Sequence, residues 1–357
     1  MGDRAMLYPF RIDSAEIIKY RVMMHRYKEI YPVSLQGLAY DGVDVGILCK
    51  ENPLGVTVST DFEEVLKKCS DVILVACSES CMPNVHMAIK QQKNIVCTFS
   101  TKDGCMEDEI EKECNKKGVY FQNVVREGRR IEQRVDDISA LTEVETPVIL
   151  ICGMSQDTQK FDIQLSLRKK LMERGYSVSQ IGTKEYSSMF GFHPFPSFML
   201  HPGDDEEKIL RFNAYVRLIE EEEKPDVILL GIPDGALPFD HEYTNGFGIL
   251  TFLVSHAVSV DYAIFSTPFM EYDKTYYRLL VKMLRYRYGF DKVAIHVSNI
   301  YHDLQSDERV GDKRLFRVSS NQIENVMKVF PTQKVGSVTL PATMDTLVDN
   351  IIAYLSS

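Results

Sequence analysis

The sequence predicts an α/β protein with two doubly wound domains: a Rossmann-like N-terminal domain and a P-loop NTPase-like C-terminal domain. Apolar runs such as "DVILVAC" and "PVILIC" alternate with amphipathic helical patterns in both halves, and a polar stretch without a strand pattern separates them. Continuous apolar strands that alternate with helices indicate a parallel sheet covered on both faces. We therefore expect domains at 1–125 and 146–357, joined by a linker at 126–145.

The elements of the first domain follow from apolar runs and helix-start signals. Ser59 or Thr60 can cap a helix whose first turn is acidic, and Pro83 is a residue that favours the first position of a helix. The predicted order is strand 5–10, helix 14–30, strand 33–40, helix 59–69, strand 71–77, helix 83–92, strand 94–99, helix 106–117 and strand 119–124.

The same alternation restarts after the linker, beginning with the run "PVILIC". The predicted order is strand 147–152, helix 159–174, strand 178–182, helix 205–223, strand 226–233, helix 246–258, strand 261–268, helix 274–288, strand 292–299 and two terminal helical segments. This order predicts a second layered α/β domain.

Charge and hydropathy exclude several classes of function. The net charge of −10 argues against a nucleic-acid partner, because neutralising phosphates requires a basic face. No run reaches the roughly 18 apolar residues that span a bilayer, so we expect no membrane association. The first residues lack the apolar core and the cleavage site of a secretory signal, and we expect a cytoplasmic protein.

Two familiar sites are not expected. No G-x-G-x-x-G follows the first predicted strand, so a dinucleotide-dependent reductase is the least favoured function. Cys77 and Cys81, in "CSESC", do not have the two-residue gap of a structural zinc site, and no second pair follows at finger spacing. We therefore predict no metal site.

The stretch "GMSQDTQKF" at 153–161 lies where a phosphate-binding loop belongs, between a buried strand and an amphipathic helix. In such a loop, backbone amides wrap the phosphates, a lysine neutralises charge and a hydroxyl holds Mg²⁺. Gly153 and Lys160 fit this pattern. Gln159 replaces the glycine before the lysine and is expected to crowd the site, whereas Phe161 replaces the hydroxyl. The spacing of six residues resembles that of dethiobiotin synthetase.

Two further segments fall near this loop in the predicted sheet. Asp234 follows the apolar strand "DVILLGIP", and strand ends of this kind collect ligands in open α/β sheets. Asp234 is either an acid of the site or a turn residue beside Gly235. The long aromatic segment 181–205 contains His193, and it either lines a pocket or partner surface or forms a local hydrophobic plug.

Taken together, these stretches resemble a two-domain family that pairs a Rossmann-like domain with a dethiobiotin-synthetase-like P-loop domain. Some members of that family are linked to N-acetylation of D-amino acids. Within it, "DVILLGIPDGALPFD" and "TNGFGILTFLVSHAVSVDYAIFST" are most similar to clostridial peptide maturation system proteins, found beside ribosomal peptide precursors and radical maturases. The resemblance implies that Gly153, Ser155, Gln156 and Lys160 are the phosphate-loop positions and that Asp234 belongs to a second acidic motif.

Two functions follow as expectations. The first is an accessory protein of peptide natural-product maturation, which binds a precursor peptide or a maturation enzyme and carries a degenerate phosphate loop. The alternative is a transferase or ligase that uses acetyl-CoA or ATP, with Asp234 or His193 as the base. Acetyl-CoA fits the altered loop better, because its phosphates need no hydroxyl-held metal. The sequence is compatible with both a monomer and a homo-oligomer.

Overall fold

The computed structural model describes residues 3–101, 104–135, 140–238, 241, 244–303, 314–331 and 334–357. The chain divides into two compact units. The first contains the residues up to Gly128 together with Glu185–Pro194, and the second contains Arg129–Lys184 and Phe195–Ser357. No helix in the described ranges combines the length and the apolar character needed to cross a bilayer.

The first unit is built on a parallel sheet with the strand order β2-β1-β3-β4-β5. The order reverses at β1, which is the doubly wound arrangement. The strands are β1 (Asp3–Tyr8), β2 (Tyr27–Pro32), β3 (Asp71–Leu74), β4 (Asn94–Cys97) and β5 (Phe121–Asn123). The helices are α1 (Ala15–Lys19), α2 (Val45–Leu48), α3 (Phe62–Lys68), α4 (Met82–Lys90), α5 (Cys105–Lys117) and α6 (Val124–Gly128).

The helix expected over 14–30 and the strand expected over 33–40 are wrong. The α-helix ends at Lys19, Val22 is exposed, and β2 occupies Tyr27–Pro32. The segment "YKEIYP" is dense in aromatic and branched residues, which favour a strand when a neighbouring strand is available for pairing. Pairing with β1 therefore overrides the helical pattern read from the preceding residues.

The second unit contains a sheet in which β12-β11-β10-β6-β9-β7 lie side by side and β13 pairs with β11. Its strands are β6 (Val148–Gly153), β7 (Val178–Gly182), β9 (Val227–Gly231), β10 (Tyr262–Phe269), β11 (Val293–Asp303), β12 (Arg314–Arg317) and β13 (Val335–Gly336); β8 (His193–Pro194) is a two-residue strand in the segment 185–194. Its helices are α7 (Lys160–Glu173), α8 (Asp205–Glu223), α9 (Ile249–Ala257), α10 (Lys274–Tyr288), α11 (Ser320–Met327) and α12 (Pro341–Leu355).

Apolar cores cover both faces of this second sheet. Leu150 and Phe265 belong to the core on one face, and Ile149 and Ile264 belong to the core on the other. Burial on both faces explains why these strands are continuously apolar rather than alternating. The prediction of two α/β domains is confirmed. The boundary expected after residue 125 falls inside α6, and the segment 185–194 is grouped with the first unit.

Candidate functional site: the loop between β6 and α7

The loop 154–159 begins at the carboxyl end of β6, which lies between β9 and β10. Its path requires the glycine at position 153, because a Cβ there would lie 2.4 Å from the hydroxyl oxygen of Thr158. Two backbone bonds fix the start of the loop: Met154 N donates to Ser266 O at 2.8 Å, and Ala236 N donates to Gly153 O at 2.7 Å. The start of the loop is therefore anchored to β10 itself and to the segment that follows β9.

Gln159 adopts the left-handed conformation that a glycine usually supplies, with a φ of 59°. Its side chain does not crowd the loop, so that expectation is wrong. The Oε1 atom accepts hydrogen bonds from Ser298 Oγ at 3.0 Å and from Asn299 N at 2.9 Å, both on β11. These two bonds to buried donors offset a left-handed conformation that costs roughly 1–2 kcal/mol for a residue with a Cβ.

Lys160 is the first residue of α7 and is almost fully buried. Its Nζ atom donates to Ser155 O at 2.7 Å, Gln156 O at 3.1 Å and Asp234 O at 3.1 Å. Burial lowers the pKa of this amine from 10.5 to about 8, and the nearby carboxylates of Asp157 and Asp234 oppose that shift. The lysine is thus held inside the loop by backbone carbonyls.

The backbone amides of residues 155–159 have no hydrogen-bond acceptor within the described ranges. Ser155 is 1% exposed, and its hydroxyl likewise has no partner in the described part of the chain. Thr158 and Gln159 are buried as well, and unpaired buried donors are rare in folded proteins, since each loses its bond to water. Consecutive free amides at a helix N-terminus, beside a lysine, form an environment that suits an anion.

The metal-binding half of a phosphate site is absent from its usual place. The residue after Lys160 is Phe161, whose ring is buried and offers no oxygen. Thr158 carries the hydroxyl nearest in sequence, and it donates to Ser155 O at 3.2 Å. The described residues contain no group of three or more His, Cys, Asp and Glu side chains that could hold a metal ion.

Three buried polar side chains that support the loop were missed by sequence reasoning. Val338 N donates to His296 Nε2 at 3.1 Å, so the ring proton of a neutral His296 lies on Nδ1. That Nδ1 is 2.9 Å from Ser266 Oγ, which in turn donates to Thr158 O. His302 Nε2 donates to the Asp157 carbonyl at 3.0 Å.

A signal for these residues was present in the sequence. His296 and Ser298 interrupt an otherwise apolar strand that is buried on both faces, and Ser266 lies in a strand of the same kind. Polar side chains in such strands need partners, and strand ends near a loop are where partners are found. These polar residues can be seen in the sequence, but the sequence does not show the strand pairing that places them beside the loop.

Asp234 lies beside the loop through its backbone. Its carbonyl accepts the Lys160 bond, while its carboxylate Oδ1 accepts from Gly235 N at 2.8 Å. Asn245 adds a second link, since its Nδ2 donates to Met154 O at 2.8 Å and to Leu237 O at 2.6 Å. Asp234 therefore belongs both to a turn and to the surroundings of Lys160.

His193 and the neighbouring aromatic residues are divided between the two units. His193 belongs to the segment 185–194 of the first unit, whereas Lys160 belongs to the second. Phe190 and Phe192 are buried and stacked at 6.0 Å, and Phe195 packs against Phe212 at 5.5 Å. These rings form local core, which corresponds to the hydrophobic plug among the alternatives left open by the sequence.

No protein-family model matches the chain, and no curated protein matches it. Among solved structures, a DUF1611 family protein from Anabaena variabilis is similar over 99% of this chain and 100% of its own, with a TM-score of 0.59 and 10% identity. An aspartate semialdehyde dehydrogenase II from Vibrio cholerae covers 66% of this chain and 72% of its own at a TM-score of 0.29 and 9% identity. Only the first value is high enough to support a shared fold, and at that identity it supports nothing further.

Proposed function

We propose that this protein is a cytoplasmic accessory factor of ribosomal peptide natural-product maturation. It binds a precursor peptide or a maturation enzyme, and its loop 153–160 holds a phosphate-bearing ligand without hydrolysing it. The resemblance of its motifs to peptide maturation system proteins supports the biological setting. The loop keeps the amides that can bind phosphate but has Phe161 in place of a hydroxyl that holds Mg²⁺, which supports binding without hydrolysis.

The observation that carries this proposal is the contrast between the amides of residues 155–159 and the residue at position 161. The amides and Lys160 retain what an anion needs. Phosphoryl transfer also depends on a metal ion that neutralises developing charge, and a hydroxyl after the lysine usually holds that ion. Because Phe161 supplies no such ligand, the loop can bind phosphate groups while lacking the group that assists hydrolysis.

A second candidate is N-acyl transfer from acetyl-CoA. The free amides favour it, since they can hold a CoA phosphate with no metal ion. Asp234 is the better placed base of the two expected from the sequence, because it lies next to Lys160 whereas His193 belongs to the other unit. In this reaction the acceptor amine attacks the thioester carbonyl, its proton passes to the base, and the CoA thiolate leaves.

Calorimetric titration with ATP and with acetyl-CoA, in Mg²⁺ and in EDTA, tests the role of the loop. We expect one of these ligands to bind in EDTA, and replacement of Lys160 by alanine to weaken binding about 10- to 100-fold, because the positive charge beside the free amides is lost. Lys169→Ala is the matched control, since Lys169 is an exposed lysine on the same helix. Unchanged affinity in Lys160→Ala would remove the loop from the proposal.

Two further assays separate the candidates. Mg²⁺-dependent release of phosphate from ATP at an enzymatic rate would contradict the non-hydrolysing role. Transfer of the acetyl group to a D-amino acid or peptide amine, abolished by Asp234→Asn, would favour the second candidate. Co-purification with the precursor peptide or maturase encoded beside the protein supports the first, and failure of every such partner to bind would contradict it.

A further inference from the structure

One face of α10 exposes an apolar stripe. Leu279, Met283 and Tyr286 are 60%, 37% and 78% exposed and follow one another at helical spacing. The opposite face of the same helix buries Leu280 and Leu284 in the core. An amphipathic helix needs only one apolar face to pack against its own domain. The second stripe is therefore unexplained by folding.

Cations flank this stripe. The helix sequence "KTYYRLLVKMLRYRY" contains five basic residues and no acidic one, in a chain whose net charge is −10. Arg278 and Lys282 are exposed on one side of the stripe, and neither forms an ion pair within the part of the chain that the structure describes. This helix is thus a basic region in a chain that is acidic overall.

Further exposed apolar side chains lie at the start of α9. Arg287, one residue beyond Tyr286, donates a hydrogen bond to Phe247 O, which brings the carboxyl end of α10 to the start of α9. There Phe247, Ile249 and Phe252 are also exposed. We call the combined surface of Phe247, Ile249, Phe252, Leu279, Met283 and Tyr286 the α9–α10 face. Clustered exposed apolar side chains with a polar rim are typical of an interaction site.

We propose that the α9–α10 face binds an acidic amphipathic helix of a peptide partner. Leucine-like side chains of the partner would pack on the stripe, and its carboxylates would meet Arg278 and Lys282, as in helix-in-groove recognition. An anionic membrane is the less suitable occupant, because an extended anionic surface would also meet the acidic remainder of the chain, whereas a single helix meets this face alone. The inference rests on the proposed function for a peptide as the partner, and it adds where that peptide binds and what its charge is.

The test uses the full-length protein and two fluorescent synthetic helices, one with leucine and glutamate faces and one with leucine and lysine faces. We expect the glutamate helix to bind more tightly, with affinity that falls as salt is raised. The double variant Leu279→Ser/Met283→Ser and the double variant Arg278→Glu/Lys282→Glu should each weaken it about tenfold or more, which is typical for central interface residues. Leu200→Ser and Lys169→Glu are controls at an exposed leucine and an exposed lysine outside the face, and they should have no effect.

Every other outcome overturns the proposal. Equal binding of both helices, unchanged binding in the two double variants, or no binding of the glutamate helix would each do so. Binding to anionic vesicles in place of the glutamate helix would identify a lipid surface. Conversion of an oligomer to a monomer by Leu279→Ser/Met283→Ser, seen by light scattering, would identify a second copy of the chain. If the glutamate helix fails to bind while ligand binding still depends on Lys160, the proposal for the α9–α10 face is wrong and the role of the loop is unaffected.

Discussion

The turns after the first strand of each sheet, β1 and β6, differ in the fate of their backbone amides. After β1, Pro9 has no amide hydrogen, Phe10 N donates to Val33 O at 2.7 Å, and Arg11 N donates to Ser14 Oγ at 3.3 Å. After β6, the amides of residues 155–159 have no acceptor in the ranges that the structure describes. In the first turn the amides are paired with groups of the chain, and in the second they are available to a ligand.

The layered α/β fold therefore does not by itself create a binding site. Both sheets have a first strand that lies between two parallel neighbours, and both end that strand at the edge where ligands usually bind. One turn is filled by the chain's own carbonyl and hydroxyl groups, whereas the other is wrapped around a buried lysine. Function follows the turn chemistry and not the fold.

The largest predicted loss of stability comes from a substitution in the first unit. Asp71 is fully buried and accepts bonds from Arg26 at 2.6 Å, Tyr27 at 3.2 Å and Asn94 at 2.8 Å. Asp71→Ala should lower the free energy of unfolding by about 3 kcal/mol, since it leaves buried donors unpaired. Chemical denaturation measures this change. Asp3→Ala, which removes an exposed partner of Arg26, should cost under about 1 kcal/mol.

A prediction of intermediate size concerns the residue that replaces the loop glycine. Gln159→Ala keeps a Cβ in the left-handed conformation but removes the acceptor for Ser298 Oγ and Asn299 N. We expect a loss of about 1–3 kcal/mol in the free energy of unfolding, the desolvation penalty of a buried donor left unpaired. Gln156→Ala, at the exposed position of the loop, should stay within about 0.5 kcal/mol. Equal effects at the two positions would contradict the role given to Gln159.

The next prediction follows from the lowered pKa of Lys160, which is about 8 in the folded protein against an ordinary value of 10.5. Phosphate binding needs the charged amine, so affinity should fall about tenfold between pH 7 and pH 9 as that amine loses its proton. Calorimetry over this pH range measures it. In Lys160→Met the slope should disappear, and a slope that persists would show that another group is responsible.

The same pKa predicts the pH dependence of stability. Between pH 8 and 10.5 the unfolded chain binds more protons at Lys160 than the folded chain does, so stability rises with pH across this window. Below pH 8 both states carry the charge, and the burial penalty is present in full. Denaturation of the wild type at the two ends of the window, compared with Lys160→Met, measures the contribution of this side chain.

The smallest expected effect concerns Mg²⁺. Because Phe161 occupies the position of the metal-holding hydroxyl, removal of Mg²⁺ by EDTA should change ligand affinity less than about twofold, within the spread of weak electrostatic screening. Titrations in matched ionic strength measure this difference. A large loss of affinity in EDTA would mean that a metal is held by other groups around the loop.

The sequence was sufficient for the alternation of strands and helices and for the place of the loop, because buried parallel strands are continuously apolar and helix starts carry local signals. It was insufficient where pairing decides the outcome, as at Tyr27–Pro32, which becomes a strand beside β1. The orientation of Gln159 toward Ser298 and the support of Thr158 by Ser266 and His296 join residues 30 to 139 positions apart. No local pattern contains such contacts.

Titration with the ligand identified by calorimetry, in EDTA, should be followed through the amides of residues 155–159 by ¹⁵N NMR. We expect these five signals to shift together to saturation in the wild type and to shift much less in Lys160→Met at the same ligand concentration. Saturation of binding with these amides unperturbed would contradict this expectation and would place the ligand at another part of the molecule.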